Sequence, residues 1–292
     1  MNILKTQTMS SSYTYTIRDA LSSEDDEIAL LFYNNFLKTW NHNWWASAKV
    51  PPPPLEPTSK PNSQLRFKRA LVKGVRLSKG HRIRVIIVHP NPNTNDINGL
   101  TSTPPRPLSA SRGKDGHDDD GGVIVGAAMW FPPNVRYPTD PVSLYKTGML
   151  GITPKWGIKG YKRLEIDWEP ALHRLAKEGF KSHVGTGKEK TKPDDSIFLQ
   201  MIAVDHAYRG KGLGSKLLRD GEQLYNGVAP AGSPILLEAT EKGPRDVYLK
   251  HGYEIIGETK LGKGSCDEDG CTGQGKKMMK QGGDVWVMCK WR

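Results

Sequence analysis

Residues 198–218, FLQMIAVDHAYRGKGLGSKLL, decide how the rest of the chain is read. An apolar run ends at Asp205-His206, the glycine-rich turn RGKGLG follows over 209–214, and Leu217, Leu218, Leu224 and Tyr225 then recur at helical spacing. That pattern predicts a strand, a loop and a helix. Glycines let the backbone approach a ligand closely, and the N–H groups at a helix start, helped by the helix dipole, favour a phosphate. Arg209 and Lys211 add positive charge beside them. The stretch therefore points to a diphosphate-bearing ligand held largely by backbone.

Spacing separates three phosphate loops that share this description. A Walker loop needs Gly-Lys-Ser/Thr at its end, whereas Gly214 is followed by Ser215-Lys216. A dinucleotide loop needs G-x-G-x-x-G in a βαβ unit, whereas the glycines here run Gly210-x-Gly212-x-Gly214 and stand late in the chain. The third pattern, Arg/Gln-x-x-Gly-x-Gly/Ala after an apolar-apolar-Val triplet, fits Arg209-x-x-Gly212-x-Gly214 preceded by Ile202-Ala203-Val204.

At these residues the chain resembles the GNAT superfamily of N-acetyltransferases, whose loop of this pattern holds the pyrophosphate of acetyl-coenzyme A. Downstream, ILLEATEKGPRDVYLKHGYEIIGE (235–258) resembles the next motif of the same superfamily, a strand, a short helix carrying a tyrosine, and Gly-aromatic four residues beyond it. The likeness is strong over 198–258 with the closing strand and weaker over 13–131. The long Pro/Gly-rich insertions look like those of fungal members.

The resemblance implies an α/β GNAT fold, a mixed, largely antiparallel central sheet of about seven strands flanked by helices, with long disordered-looking insertions. It implies acetyl-CoA as cosubstrate and no metal. The pantetheine arm would lie along Ile202, Ala203 and Val204 like an added strand. The pyrophosphate would rest on Gly210, Lys211, Gly212, Leu213, Gly214 and Ser215, with Arg209 opening the loop. Tyr248, four residues before Gly252, matches the superfamily's acid tyrosine. An oxyanion donor would come from backbone near Ala203 or Val204. Glu238 is the candidate base for the acceptor amine, with Asp205, Glu241 and His206 as alternatives. Two departures stand out: His206 replaces a proline, and Glu241-Lys242-Gly243 stands where an asparagine is often found.

Composition sets the outer bounds. A chain of 292 residues can bury a substantial core, and 36% hydrophobic residues with 31 glycines and 21 prolines suggest a globular core carrying long loops. The formal charge of +11 suits anionic ligands, yet the 42 basic residues are spread along the chain, which argues against a nucleic-acid partner. No run approaches the roughly 20 apolar residues that span a bilayer. MNILKTQTMSSSYTY lacks the apolar stretch of a signal peptide, so a cytoplasmic location is expected, with the nucleus also open. Three cysteines, Cys266, Cys271 and Cys289, suggest a reducing compartment, and Cys266 to Cys271 with Asp267 to Asp269 is read as a flexible polar loop, not a metal knuckle.

The remaining chain reads as one acetyltransferase domain over 1–292. Strands are expected near 13, 82, 123, 198, 235, 253 and 284. Ser22 and Ser23 suggest a capped start to the helix carrying Ile28, Leu31, Phe32 and Phe36. QLRFKRALVKGVRL suggests a helix whose cations face solvent. Residues 90–122 read as a flexible low-complexity insertion. Residues 134–197 read as a helical insertion shaping the acceptor site, with a helix from Trp168 to Phe180. Two aromatic groups, Trp40, His42, Trp44 and Trp45, then Tyr145, Trp156, Tyr161 and Trp168, are candidates for lining that site or for core packing. The expected partner is a small-molecule amine, or alternatively a peptide amine on a protein lysine or N-terminus. A coenzyme-binding module without catalysis is the reading from a different class.

Overall fold

The computed structural model describes residues 7–10, 13–90, 122–183, 191–272 and 277–292. The expected 90–122 insertion lies, apart from its two end residues, outside them.

One eight-stranded mixed sheet organises the protein. Its strands are β1 (Gln7–Ser10), β2 (Tyr13–Asp19), β3 (Arg82–Pro90), β4 (Val123–Phe131), β5 (Ile197–Val204), β6 (Ile235–Ala239), β7 (Glu254–Leu261) and β8 (Gly283–Lys290), in the order β1-β2-β3-β4-β5-β6-β8-β7. The seven expected strands are present, and β1 adds an edge. Every neighbouring pair is antiparallel except β5 and β6. This is the mixed α/β fold that the resemblance implied.

Helices cover both faces, which is why β4 reads as an uninterrupted apolar run instead of an alternating one. Ala127, Met129 and Phe131 face a core built from α1 (Asp25–Asn35), α2 (Trp40–Trp45) and α3 (Ser63–Leu77). Ala128 and Trp130 face the opposite core. Three more helices follow on the chain: α4 (Pro141–Thr147), α5 (Thr153–Tyr161) and α6 (Glu169–Ser182), with a π-helical stretch over Lys162–Trp168 joining the last two. Leu172, Ala176 and Phe180 bury α6 in the first core. The second core takes Leu213, Leu217 and Leu218 of α7 (Leu213–Gln223) and Tyr248 of α8 (Lys242–Lys250).

The seating of α7 positions the glycine loop. Arg84 of β3 donates to Asp220 through Nε and Nη2 at 2.7 and 3.0 Å. One turn of α7 approaches the sheet so closely that a Cβ at Gly221 would overlap the Trp130 indole. Alanine is normally better in a helix than glycine by about 1 kcal/mol, but overlap with a buried ring costs about 1–3 kcal/mol. Gly221→Ala is therefore expected to destabilise the fold, seen as a lower denaturation midpoint in urea; an unchanged or raised midpoint would contradict this packing.

Three local expectations are corrected. Ser22 and Ser23 do not cap α1; a short 3₁₀ turn over Ser22–Glu24 precedes it, and Glu24 accepts from the Leu21 N–H at 2.7 Å. On α3 not all cations face water. Lys68 is only 3% exposed, because its amine meets the His42 ring at 3.0 Å from Nδ1 and the faces of Phe36 and Phe67. The loop holding Cys266 and Cys271 is no flexible polar loop: both thiols are buried, with Cys266 Sγ 3.7 Å from the Gly262 carbonyl and Cys271 Sγ 3.8 Å from the Asp269 carbonyl. The α2 side chains tie it down, Trp44 Nε1 donating to Ser265 Oγ at 2.9 Å and Asn43 to the Asp269 carbonyl at 2.9 Å. Among the described residues no cluster of three or more metal-ligating side chains occurs, and no helix is long and apolar enough to cross a membrane.

Candidate active site

The site begins where two parallel strands part. β5 and β6 pair only over Ile197–Leu199 with Ile235–Leu237. The cause lies on the other edge of β5: Met129 faces Met201 while Trp130 faces Leu199, so Gln200 is an extra residue. Such a bulge bends a strand and raises its twist. From Gln200 onward β5 turns away from β6, and a cavity of about 1570 Å³ opens between them.

The free edge of β5 borders this cavity through Ile202, Ala203 and Val204. The Asp205 N–H donates to the Val125 carbonyl at 2.8 Å. Because backbone groups alternate along an antiparallel strand, Ala203 also points its N–H toward β4. Ile202 and Val204 point theirs toward the gap. Of the two expected oxyanion donors, geometry thus leaves Val204.

At the end of β5, Asp205 accepts from the Ala207 N–H at 2.9 Å and starts a short turn over His206–Tyr208. Gly210 and Gly212 follow with φ of +76° and +73°. A side chain is strained there, and a Cβ at either would point into open space. The N–H groups of Gly212, Leu213, Gly214 and Ser215 are at the start of α7, where no intrahelical partner exists. Free N–H groups, a helix dipole and an open cradle fit a pyrophosphate. Arg209 is held back from it, with Nη2 on Asn35 Oδ1 at 3.1 Å and Nε on the Val204 carbonyl at 3.3 Å. Lys211 is exposed and lies over the Tyr208 ring.

Tyr248 lines the cavity from α8 and is 7% exposed. Burial raises its phenol well above the ordinary value, so it stays protonated across the neutral range. Glu238 borders the same cavity from the end of β6. Burial, then the carboxylate of Glu169, pushes it up to about 8, while Arg136 and a hydrogen bond with Trp168 pull it down. Burial and Glu165 push Glu169 up in turn. Glu169 is the more exposed of the two, so water weakens its shift. The two carboxylates titrate as a coupled pair, which carries a proton near neutrality.

The three alternatives to Glu238 are engaged or remote. Asp205 caps the turn, Glu241 accepts from Thr39 Oγ1 at 3.1 Å, and His206 is exposed and does not border the cavity. The aromatics divide. His42, Trp45, Trp156, Tyr161 and Trp168 line the chamber; Trp40 and Trp44 pack elsewhere, and Tyr145 is exposed. Sequence reasoning passed over Glu165, Glu169 and Arg136. A pair of glutamates four apart reads as one helix face, yet nothing local tells that the face borders a cavity.

Residues 172–255 match the acetyltransferase (GNAT) domain family. The match runs from α6 into β7 and so takes in the bulged strand, the glycine loop, Glu238 and Tyr248. No curated protein matches the chain. Solved structures resemble it over nearly their full length. A mosquito arylalkylamine N-acetyltransferase like 5b is 18% identical, with 95% of this chain and 100% of that one covered and a TM-score of 0.49. The Aedes aegypti arylalkylamine N-acetyltransferase 2 is 14% identical, covering 95% and 98%, at 0.47. A Drosophila melanogaster polyamine N-acetyltransferase is 12% identical, covering 95% and 100%, at 0.46. Likeness at that level assigns no substrate to this chain, and it gives no support to a fungal origin.

Proposed function

We propose that the protein transfers the acetyl group of acetyl-coenzyme A directly to a primary amine of a small molecule. The observation that carries this reading is the continuity of one cavity, which runs from Arg209 and Gly214 at the glycine loop, past Tyr248 and the free edge of β5, to Glu238. A coenzyme-binding module without catalysis would need only the loop end of it.

On this reading Gly210 to Ser215 hold the pyrophosphate by backbone N–H groups, and the unpaired edge of Ile202 to Val204 holds the pantetheine arm. The coenzyme supplies a thioester carbon open to attack. The acceptor must be neutral, yet an alkylamine has a pKa of roughly 10.4. Glu238 takes its proton, alone or through water, which requires the ionised carboxylate. The N–H of Val204 faces the charge developing on the carbonyl oxygen. The Tyr248 hydroxyl donates to the departing sulfur. The 134–197 insertion supplies Trp156, Tyr161, Trp168, Glu165 and Glu169 to the acceptor wall. Such an aromatic chamber favours a small acceptor over a protein lysine or N-terminus.

Tyr248→Phe tests the donor role. At neutral pH kcat is expected to fall about 100-fold, the lower range for loss of a positioned acid. The deficit should shrink as pH rises past roughly 8.5, where a thiolate leaves unaided. Equal rates for the two proteins at neutral and alkaline pH would remove Tyr248 from the mechanism.

A further inference from the structure

The apolar side chains of the 134–197 insertion divide into two sets. Ile152, Trp156 and Trp168 are buried in the first core. Val142, Tyr145, Leu150, Ile158 and Tyr161 face water, Tyr145 being 77% and Ile158 87% exposed. Thirteen large apolar side chains are exposed among the described residues, and these five stand within the single stretch 141–164. Scattered singly they would be ordinary, but gathered on one stretch they mark a contact surface.

Charge sets the same stretch apart. Residues 141–164 hold Lys146, Lys155, Lys159, Lys162 and Arg163 and no Asp or Glu, although the chain has 31 acidic residues against 42 basic ones. Arg163 turns inward, its Nη1 donating to the Trp44 carbonyl at 2.5 Å and to Ser47 Oγ at 3.0 Å. The four lysines are exposed, and no carboxylate among the described residues pairs with them. α4, the Met149–Gly151 turn, α5 and the 162–168 stretch pack against one another in succession, so the exposed set belongs to one continuous part of the surface. Leu150, Ile158 and Tyr161 also border the cavity, so this surface includes a mouth of it.

Two kinds of partner would attract these lysines, and the apolar side chains decide between them. Duplex nucleic acid would take the cations but leave Val142, Tyr145 and Ile158 in water. An anionic bilayer takes both: its headgroups attract the cations, while apolar side chains and tyrosine rings enter the boundary between headgroups and acyl chains. We infer that residues 141–164 dock on the surface of an anionic lipid bilayer, with the mouth of the cavity turned toward the lipid. The contact is peripheral, since α4 and α5 have 7 and 9 residues against the roughly 20 that span a bilayer. It does not depend on acetyl transfer.

The test mixes the full protein with vesicles of phosphatidylcholine, either alone or with about one-third phosphatidylserine, and reads the bound fraction by flotation. Each lysine near an anionic surface contributes about fivefold, so partitioning onto the anionic vesicles should exceed that onto the neutral ones by about 100-fold or more. It should fall as salt is raised from about 0.1 to about 0.5 M. Lys155→Gln with Lys159→Gln is expected to weaken it by about 20-fold. Lys177→Gln with Lys181→Gln on α6 removes the same charge elsewhere and should weaken it by less than about threefold. Val142→Ser with Tyr145→Ser should cost about tenfold through lost apolar insertion, and neither residue borders the cavity. All six positions are exposed, so the variants keep the parent's fold. Equal partitioning onto neutral and anionic vesicles, an equal loss from the α6 pair, or full binding by the Val142 and Tyr145 variant overturns the proposal. Salt-sensitive binding to duplex nucleic acid without binding to vesicles overturns it as well.

Discussion

Gly212→Val is expected to abolish acetyl-CoA binding: no thermal shift at coenzyme concentrations that stabilise the parent, and a KM raised beyond about 100-fold. Two effects combine. Gly212 has a φ of +73°, where a β-branched residue is strained by about 1–3 kcal/mol. Its Cβ would also project into the open space above the loop, where no protein atom lies within 4 Å. The fold should tolerate the change better than the ligand does, because that space is empty of protein. Lys211→Ala is the control. Lys211 is exposed, and loss of one screened charge is worth about 0–1 kcal/mol, so binding should weaken by less than about tenfold. Near-normal coenzyme affinity in Gly212→Val would show that the pyrophosphate lies elsewhere.

Glu238→Gln carries the second large effect. The amide keeps the shape of the side chain but accepts no proton, and kcat/KM is expected to fall by about 100- to 10,000-fold. The pH profile separates this from a change of shape. Since the base works ionised and Glu238 is held up at about 8, the parent's kcat/KM should rise with pH through that region. The variant should lose this limb. Stability should move in the opposite direction. A carboxyl raised from 4.5 binds more protons in the folded state, so the parent loses stability as pH climbs from about 4.5 to about 8. In the variant this loss should be smaller. A variant with the parent's pH profile would assign proton removal to another group.

What was legible in the sequence follows from how locally each feature is determined. The strand, loop and helix over 198–218 were readable because Gly210 and Gly212 occupy conformations that other residues avoid, and because the leucines of α7 face one core. The place of Tyr248 was readable for the same reason, since its helix ends at Gly252, with φ of +81°. The parting of β5 and β6 was not. It depends on the extra residue at Gln200, which exists only in the pairing with β4. Glu165 and Glu169 were hidden by a different cause. They come from an insertion whose seating is set by Trp168 packing tilted against Trp40 and edge-on against Trp45, contacts more than a hundred residues apart in the chain. Lys68 shows the same limit: one cation of a basic helix turns inward because His42, Phe36 and Phe67 stand where it points. The loop at Cys266 was misjudged because its polar composition gives no sign of the α2 tryptophans beneath it.

The most direct measurement is release of free thiol from acetyl-CoA on mixing the protein with a panel of small primary amines. Acetyl transfer through the cavity predicts saturable thiol release that needs both substrates, with one acetylated amine formed for each thiol freed. Coenzyme binding at the glycine loop without thiol release, for every amine offered, would contradict it and leave a coenzyme-binding module.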